Sequence, residues 1–352
     1  MSKKVYVGMS GGVDSSVTAA LLKEQGYDVT GIYMKNWSKD LPGMVCPWKE
    51  DYQDAKRVAV QLGLPFKMYD FQTEYREKVV DYMLEGYKAG ITPNPDIMCN
   101  QEVKFKLFLD AARADGADYI ATGHYARVEH GQLHTAQNAE KDQTYFLYRV
   151  TGEALQHSLM PIGDFATKDE VRALAKKFGL ATAEKKDSQG ICFVGKVGIK
   201  DFLLHELGPQ APGAIIDENG ATVGQHDGAL FYTIGQRHGL DVGGGLPYYV
   251  VGKDMDKNEV YVTRKLDDDR LWHSELMLTS AHWINGEEGP KKDLQVRLRY
   301  RAPLVGVTAL EKIDTTTWRL QLAEPVRAIT PGQSAVFYAG EWCLGGAIVN
   351  KS

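Results

Sequence analysis

Apolar and polar positions follow two different patterns along this chain. In the first third, short and almost wholly apolar runs alternate with longer stretches that carry apolar residues every three or four positions. Residues 4–9 (KVYVGM), 29–34, 65–71 and 118–122 (DYIAT) are of the first kind and predict strands, buried ones at 4–9 and 118–122. Residues 16–25 (SVTAALLKEQ), 51–62 (DYQDAKRVAVQL) and 103–114 are of the second kind and predict helices, with Gly26 and Gly63 as stops. Strands separated by helices imply an α/β fold with a doubly wound parallel sheet. Such sheets bind ligands at the carboxyl ends of their strands, where Ser10–Ser15 and Gly123–His124 fall. Residues 127–135 predict a hairpin. Thr167-Lys168-Asp169-Glu170 is a capping box that opens a helix running to Phe178.

Beyond about residue 205 the pattern shortens and alternates, with many glycine turns. Residues 229–234, 248–251, 259–263, 294–300, 305–310, 318–322 and 335–338 predict strands. The expected organisation is therefore an α/β nucleotide-binding domain at 1–204, a small β-rich domain at 205–270 and a C-terminal β-barrel at 271–352. The charged stretch 265–270 separates the last two.

Composition narrows the class. Of 352 residues, 43% are hydrophobic and 25% charged, enough for a sizeable core. No apolar run reaches the roughly 18 residues of a membrane span. No secretory or transit segment is read at the start, so the expected location is the cytoplasm. The net charge of −5 excludes a generic basic nucleic-acid binder, but not a local basic patch. The four cysteines, Cys46, Cys99, Cys192 and Cys343, form no CxxC pair, which argues against a structural zinc site. In a reducing compartment they are thiols, either buried and inert or chemically active.

Candidate chemistry begins at Ser10-Gly11-Gly12-Val13-Asp14-Ser15, between a strand and a helix. Glycines let the backbone turn sharply and approach a polyanion. Backbone amides, the hydroxyls of Ser10, Ser15 and Ser16, and the helix N-terminus all favour phosphate. The loop lacks the lysine of a GxxxxGK[ST] motif and the spacing of GxGxxG. Two cysteines lie in loops rich in turn formers: Asn94-Pro95-Asp96-Ile97-Met98-Cys99-Asn100 and Asp187-Ser188-Gln189-Gly190-Ile191-Cys192-Phe193. Cys99 is expected near the start of the following helix, where the dipole favours thiolate. Cys46 lies in a loop with nothing near it that suggests chemistry, and Cys343, in a C-terminal strand, is expected to be packed. Residues 295–301 (QVRLRYR) predict a strand with three arginines on one face, suited to RNA phosphates.

The loop SGGVDS resembles the pyrophosphate loop of the N-type ATP pyrophosphatases. That resemblance implies an adenine nucleotide alpha hydrolase-like fold, with Gly8, Met9, Ser10, Gly11, Gly12, Val13, Asp14 and Ser15 around ATP phosphates. It also implies Mg²⁺ beside Asp14, and Met34 and Gly123 flanking the adenosine. Argininosuccinate, GMP, NAD and asparagine synthetases resemble it equally here. In order along the chain, SGGVDSSV, NPDIMCNQEVKF, ATGHYAR, KDQTYFLY, DSQGICF, YTIGQRHGL and RYRAP are similar to the bacterial tRNA-specific 2-thiouridylase family. This implies ATP-dependent 2-thiolation of the wobble uridine of Lys, Glu and Gln tRNAs. Cys192 would carry a persulfide from a cysteine desulfurase or sulfur-relay protein, with Cys99 as its partner nucleophile and Asp96 as acid/base. Asn94, Pro95 and Asp96 would contact the target base. His124, Asp142, Gln143, Thr144, Tyr300, Arg301 and Gln333 would be further tRNA contacts. The loop Gln189–Phe193 is expected to be mobile and the protein a monomer. Competing readings are a synthetase that adenylates a small-molecule carbonyl and a non-catalytic nucleotide- or RNA-binding module.

Overall fold

The computed structural model describes residues 2–41, 43, 45–186, 198–240, 242–243, 246–286 and 293–350. Among them, five parallel strands form the first sheet, in the order β3-β2-β1-β4-β7. These are β1 (Lys4–Gly8), β2 (Asp28–Lys35), β3 (Phe66–Asp70), β4 (Tyr119–Ala121) and β7 (Ser158–Leu159). Val5, Val7, Ile32, Ile120 and Ala121 are fully buried between helical layers, which is why β1, β2 and β4 read as apolar runs, whereas β3, at the sheet edge, leaves Lys67 and Met68 exposed. After β1 the chain winds outward to β2 and β3, then returns to β4 on the other side of β1. The loops after β1 and β4 therefore diverge and leave a crevice at the strand ends.

Helix α1 (Val13–Glu24) follows β1, and α2 (Trp48–Gln61) follows β2. Two longer helical runs, 72–88 and 95–114, pack beside them. The first was not foreseen from the sequence, and the second begins eight residues earlier than expected. Each contains a segment with hydrogen bonds five residues back, at Arg76–Val80 and Cys99–Leu107. Such π-helical stretches are rare and recur at functional sites. Thr167 caps the Lys168–Lys177 helix by accepting from Glu170 N (3.3 Å), as the capping box predicts.

The middle sheet has the order β10-β11-β8-β9, from β8 (Gly213–Ile216), β9 (Thr222–His226), β10 (Tyr249–Asp254) and β11 (Glu259–Thr263). The strand expected at 229–234 is instead a buried 3-10 turn, Ala229–Phe231. A short apolar run buried on every side carries no period that separates a turn from a strand. The last unit is a barrel. Its strands are β12 (Trp272–Trp283), β13 (Gln295–Arg297), β14 (Val305–Lys312), β15 (Thr317–Arg327), β16 (Ser334–Ala339) and β17 (Trp342–Val349). Pairing of β12 with β17 closes it, among the described residues, at six strands. Leu278, Val296, Leu320, Ala335 and Phe337 fill it. The hairpin β5 (Arg127–Glu129) and β6 (Gln132–His134) belongs to the first domain in sequence, yet β6 pairs with β17. One sheet thus joins the first and last domains. No helix among the described residues is long and apolar enough to cross a membrane.

Candidate active site

The glycine-rich loop turns from β1 into α1 at the crevice between β1 and β4. Gly11 has φ +76°, and a Cβ there would lie 2.4 Å from the Asp51 carbonyl oxygen. Only glycine fits that turn. Ser15 Oγ accepts from Ser10 N (3.1 Å) and Ser16 Oγ donates to Gly12 O (2.7 Å), so the hydroxyls fix the loop from inside. Gly12 is the N-cap of helix α1 and offers no side-chain cap, leaving the first-turn amides for an anion. Gly123, just beyond β4, closes the other wall: a Cβ there would lie 2.7 Å from Ser15 N and 2.9 Å from the Asp14 carbonyl carbon. At the floor, Met9 is buried, and the Met34 methyl would lie 2.8 Å from a Cβ on Gly8. The structure therefore brings the loop, Met34 and Gly123 together.

Asp14 carries two partners the sequence reading missed. Lys168 Nζ reaches its two carboxylate oxygens at 2.6 and 2.8 Å, and Tyr125 Oη donates to it at 2.9 Å. Lys168 also lies over the Tyr125 ring, 5.5 Å from its centroid. One signal was present in the sequence: Lys168 is the first residue of a capped helix, where the macrodipole disfavours a cation. It brings to this loop a positive charge that other phosphate loops carry in their own motif.

The second half of the site is the helical run 95–114. Pro93 packs so close to helix 72–88 that a Cβ on Gly86 would lie 2.7 Å from its ring. Asn94 then caps the run, its Oδ1 accepting from Asp96 N (3.1 Å) and Ile97 N (3.4 Å), with Pro95 in the first turn. Cys99 is buried, four residues after Pro95, where the π-helical stretch begins. Burial pushes the Asp96 carboxyl above its ordinary pKa, and the Lys104 charge offsets part of that rise. His124 is also buried. Its Nδ1 is 2.8 Å from Thr122 Oγ1 and its Nε2 is 3.5 Å from Lys104 Nζ. Desolvation first, and the Lys104 charge second, hold it well below the ordinary imidazole range, so it is neutral at physiological pH. These contacts form one chain: Gly123 touches the phosphate loop, His124 touches Lys104, and Lys104 shares a helix with Asp96 and Cys99. Cys192 and the loop Gln189–Phe193 lie outside the described residues.

Family models match all three units: a tRNA methyl transferase HUP domain over residues 3–196, a tRNA methyl transferase PRC-barrel domain over 200–264, and an aminomethyltransferase beta-barrel domain over 273–349. The chain is 48% identical over 354 residues to the tRNA-specific 2-thiouridylase MnmA of Bacillus cytotoxicus, covering 99% of this chain and 95% of that one. It is 49% identical over 355 residues to the tRNA-specific 2-thiouridylase MnmA 2 of Geobacillus kaustophilus, again covering 99% and 95%. The chain belongs to the tRNA-specific 2-thiouridylase family. Among solved structures it is similar to a 4-thiouridine synthetase–RNA complex with bound ATP, with a TM-score of 0.39 and 19% identity over 56% of this chain and 46% of that one.

The residues that the family resemblance marks as tRNA contacts occupy different kinds of place. Asp142 is 3% exposed; its Oδ1 accepts from Ala136 N (3.0 Å), and its Oδ2 accepts from Thr144 Oγ1 (2.8 Å) and Arg297 Nη1 (3.2 Å). Thr144 is fully buried and also lies 3.2 Å from Tyr338 Oη. Both side chains face the barrel and clasp the two domains together. Gln143 is half-buried, with its Oε1 accepting from Tyr125 N (2.9 Å). Gln333 Nε2 donates to Thr92 O (2.8 Å), two residues before Asn94, and so docks the barrel beside the Cys99 helix.

The arginine row expected at 295–301 is corrected. The strand ends at Arg297, which ion-pairs with buried Asp142. Arg299 is spent on the Ala328 carbonyl (2.5 Å), Thr330 Oγ1 (3.1 Å) and the Ile234 carbonyl (3.3 Å). Arg301 is exposed, with φ +62°, and its guanidinium lies over the Tyr300 ring, 5.1 Å from the centroid. Tyr300 in turn lies 4.4 Å from the Phe146 ring. Tyr145, Leu147 and Tyr148 are fully buried, as expected of core residues. Cys343 is buried too, and desolvation pushes its thiol far up, which fits an inert role.

Proposed function

We propose that this protein is a tRNA 2-thiouridylase that adenylates O2 of the wobble uridine in Lys, Glu and Gln tRNAs with ATP and then replaces it with sulfur. The observation that carries the reading is the juxtaposition just described. A cradle for phosphate and the helical turn that carries half-buried Asp96 and buried Cys99 are linked through Gly123, His124 and Lys104. Methyl transfer has no use for a polyphosphate cradle. Adenylation needs one.

In the first step uridine O2 attacks the α-phosphorus. The O2–P bond forms, the bond to the β-phosphate oxygen breaks, pyrophosphate leaves and the N3 proton is lost. The loop amides hold the phosphates while Lys168 offsets their charge. Asp14 and the nearby hydroxyls are hard oxygen donors that fit Mg²⁺, which would neutralise charge on the departing pyrophosphate. The uracil must leave the anticodon stack to reach the crevice, and Asn94 to Asp96 would meet it there. Half-buried Tyr300 and exposed Arg301 form an aromatic-cation surface suited to RNA.

In the second step Cys192 carries a persulfide supplied by a cysteine desulfurase or sulfur-relay protein. Cys99, its proton passed to Asp96 one helical turn earlier, can attack the Cys192 sulfur. A Cys99–Cys192 disulfide forms and hydrosulfide is released, which adds to C2. AMP departs with the C2–O bond electrons and N3 regains a proton. Alternatively the terminal persulfide sulfur adds to C2 directly, and Cys99 then resolves the sulfur bond between Cys192 and the product. Both routes end in a disulfide that a cellular thiol must reduce. The protein acts as a monomer in the cytoplasm.

The test is incubation with ATP, Mg²⁺, a low concentration of a persulfide source and unmodified Glu tRNA, followed by digestion and mass spectrometry. Wild type should give 2-thiouridine, AMP and pyrophosphate, while Cys99→Ala and Cys192→Ala should give no 2-thiouridine. Unchanged tRNA with wild type would overturn the reading.

A further inference from the structure

Lys104 takes part in no step of the scheme above, yet it links the two halves of the site. It is half-buried on the same helical run as Asp96 and Cys99, with its ammonium 3.5 Å from the Nε2 of buried His124. His124 is fixed from the other side by Thr122 Oγ1 at 2.8 Å. A neutral imidazole with Nδ1–H toward Thr122 presents an acceptor at Nε2 to the ammonium and holds it in place.

The backbone decides where that ammonium points. In an α-helix of 3.6 residues per turn, residues 99 and 104 would stand about 140° apart around the axis. Here the stretch Cys99–Leu107 is wound with hydrogen bonds five residues back, as in Phe108 N to Val103 O. In such a ladder the wider turn leaves residues five apart only about 50° apart around the axis. The wider winding thus turns Lys104 from well round the helix toward the side that carries Cys99.

We propose that Lys104 is a positioning residue for sulfur transfer: the π-helical register sets its ammonium over Cys99 and holds that thiol as the thiolate. This rests on the thiouridylase reading and deepens it. A neighbouring cation lowers a thiol pKa by about one to three units, so its loss should cut the thiolate fraction by about tenfold or more.

The variants are Lys104→Met, which keeps length without charge, and Lys104→Arg, which keeps charge. Two half-reactions are followed with wild type alongside: pyrophosphate release with unmodified Glu tRNA, and 2-thiouridine formation. Thiolate absorbance near 240 nm of the reduced protein at one fixed pH is read for each variant with and without Cys99→Ser. The expected result for Lys104→Met is unchanged pyrophosphate release, at least tenfold slower 2-thiouridine formation and loss of the Cys99-dependent absorbance. Lys104→Arg should recover most of both. An equal fall in pyrophosphate release would overturn the proposal and assign Lys104 to the phosphates. Unchanged Cys99 absorbance in Lys104→Met would also overturn it. Absence of 2-thiouridine with wild type would instead count against the thiouridylase reading itself.

Discussion

Replacing Asp142 with asparagine keeps the shape of the side chain and the acceptor for Ala136 N, but removes the charge that faces Arg297. Asp142 is 3% exposed and the Arg297 side chain 17%, so little water can take over. Removing one partner of a buried pair costs about 3–5 kcal/mol, because the other charge is stranded. The Arg297 guanidinium also lies 5.2 Å from the Tyr338 ring centroid, a contact the substitution leaves intact. With that contact and some residual solvent, we expect a loss of about 2–4 kcal/mol. The loss should appear in the barrel transition during urea unfolding, reported by Trp283 and Trp318, which pack against each other at 6.1 Å between ring centroids. Pairing Asp142→Asn with Arg297→Met should recover most of it, since both charges are then absent. A cost below about 1 kcal/mol, or no recovery in the double variant, would refute the clasp. If stability were intact and only tRNA affinity fell, Asp142 would be an RNA contact after all.

Two further outcomes follow from the site. Burial raises the folded pKa of Asp96 above its ordinary value of 3.8, so the native state binds the proton more tightly than the unfolded chain. The carboxylate therefore destabilises the fold, an effect that is absent below the ordinary pKa and grows as pH rises through the folded one. Asp96→Asn should raise the melting temperature at neutral pH, change it little near pH 3, and depress 2-thiouridine formation; a lower melting temperature at neutral pH would contradict this. Arg301→Ala should weaken tRNA binding across sequences and reduce the slope of log affinity against log salt by about one, with melting unchanged. Arg299→Ala should instead lower the melting temperature and leave that slope alone, because its guanidinium serves carbonyls of the protein; equal slopes for wild type and Arg301→Ala would place the RNA elsewhere.

What the sequence alone determined is local. The apolar runs around 4–9 and 29–34 are buried on both faces of a parallel sheet, so their hydrophobicity is continuous and legible. Gly11 needs φ +76° and Gly123 abuts the phosphate loop, so glycine was required at both. Thr167 and Glu170 cap a helix through a three-residue spacing that any reading can find. What only the tertiary structure decided depends on partners far along the chain. Lys168 lies 154 positions from Asp14, and Arg297 lies 155 from Asp142. Arginines 297 and 299 looked like a phosphate-binding row because alternation reports only which face a side chain takes. Whether that face meets water, a carboxylate or a carbonyl is set by the packing of other domains. The π-helical winding at Cys99–Leu107 was equally hidden. Helix periodicity is written in the apolar positions, whereas one extra residue in a hydrogen-bonded ring is fixed by what the helix packs against. Pairing of β6 with β17 belongs to the same class, since a strand edge carries no sequence label for the distant strand that will cover it.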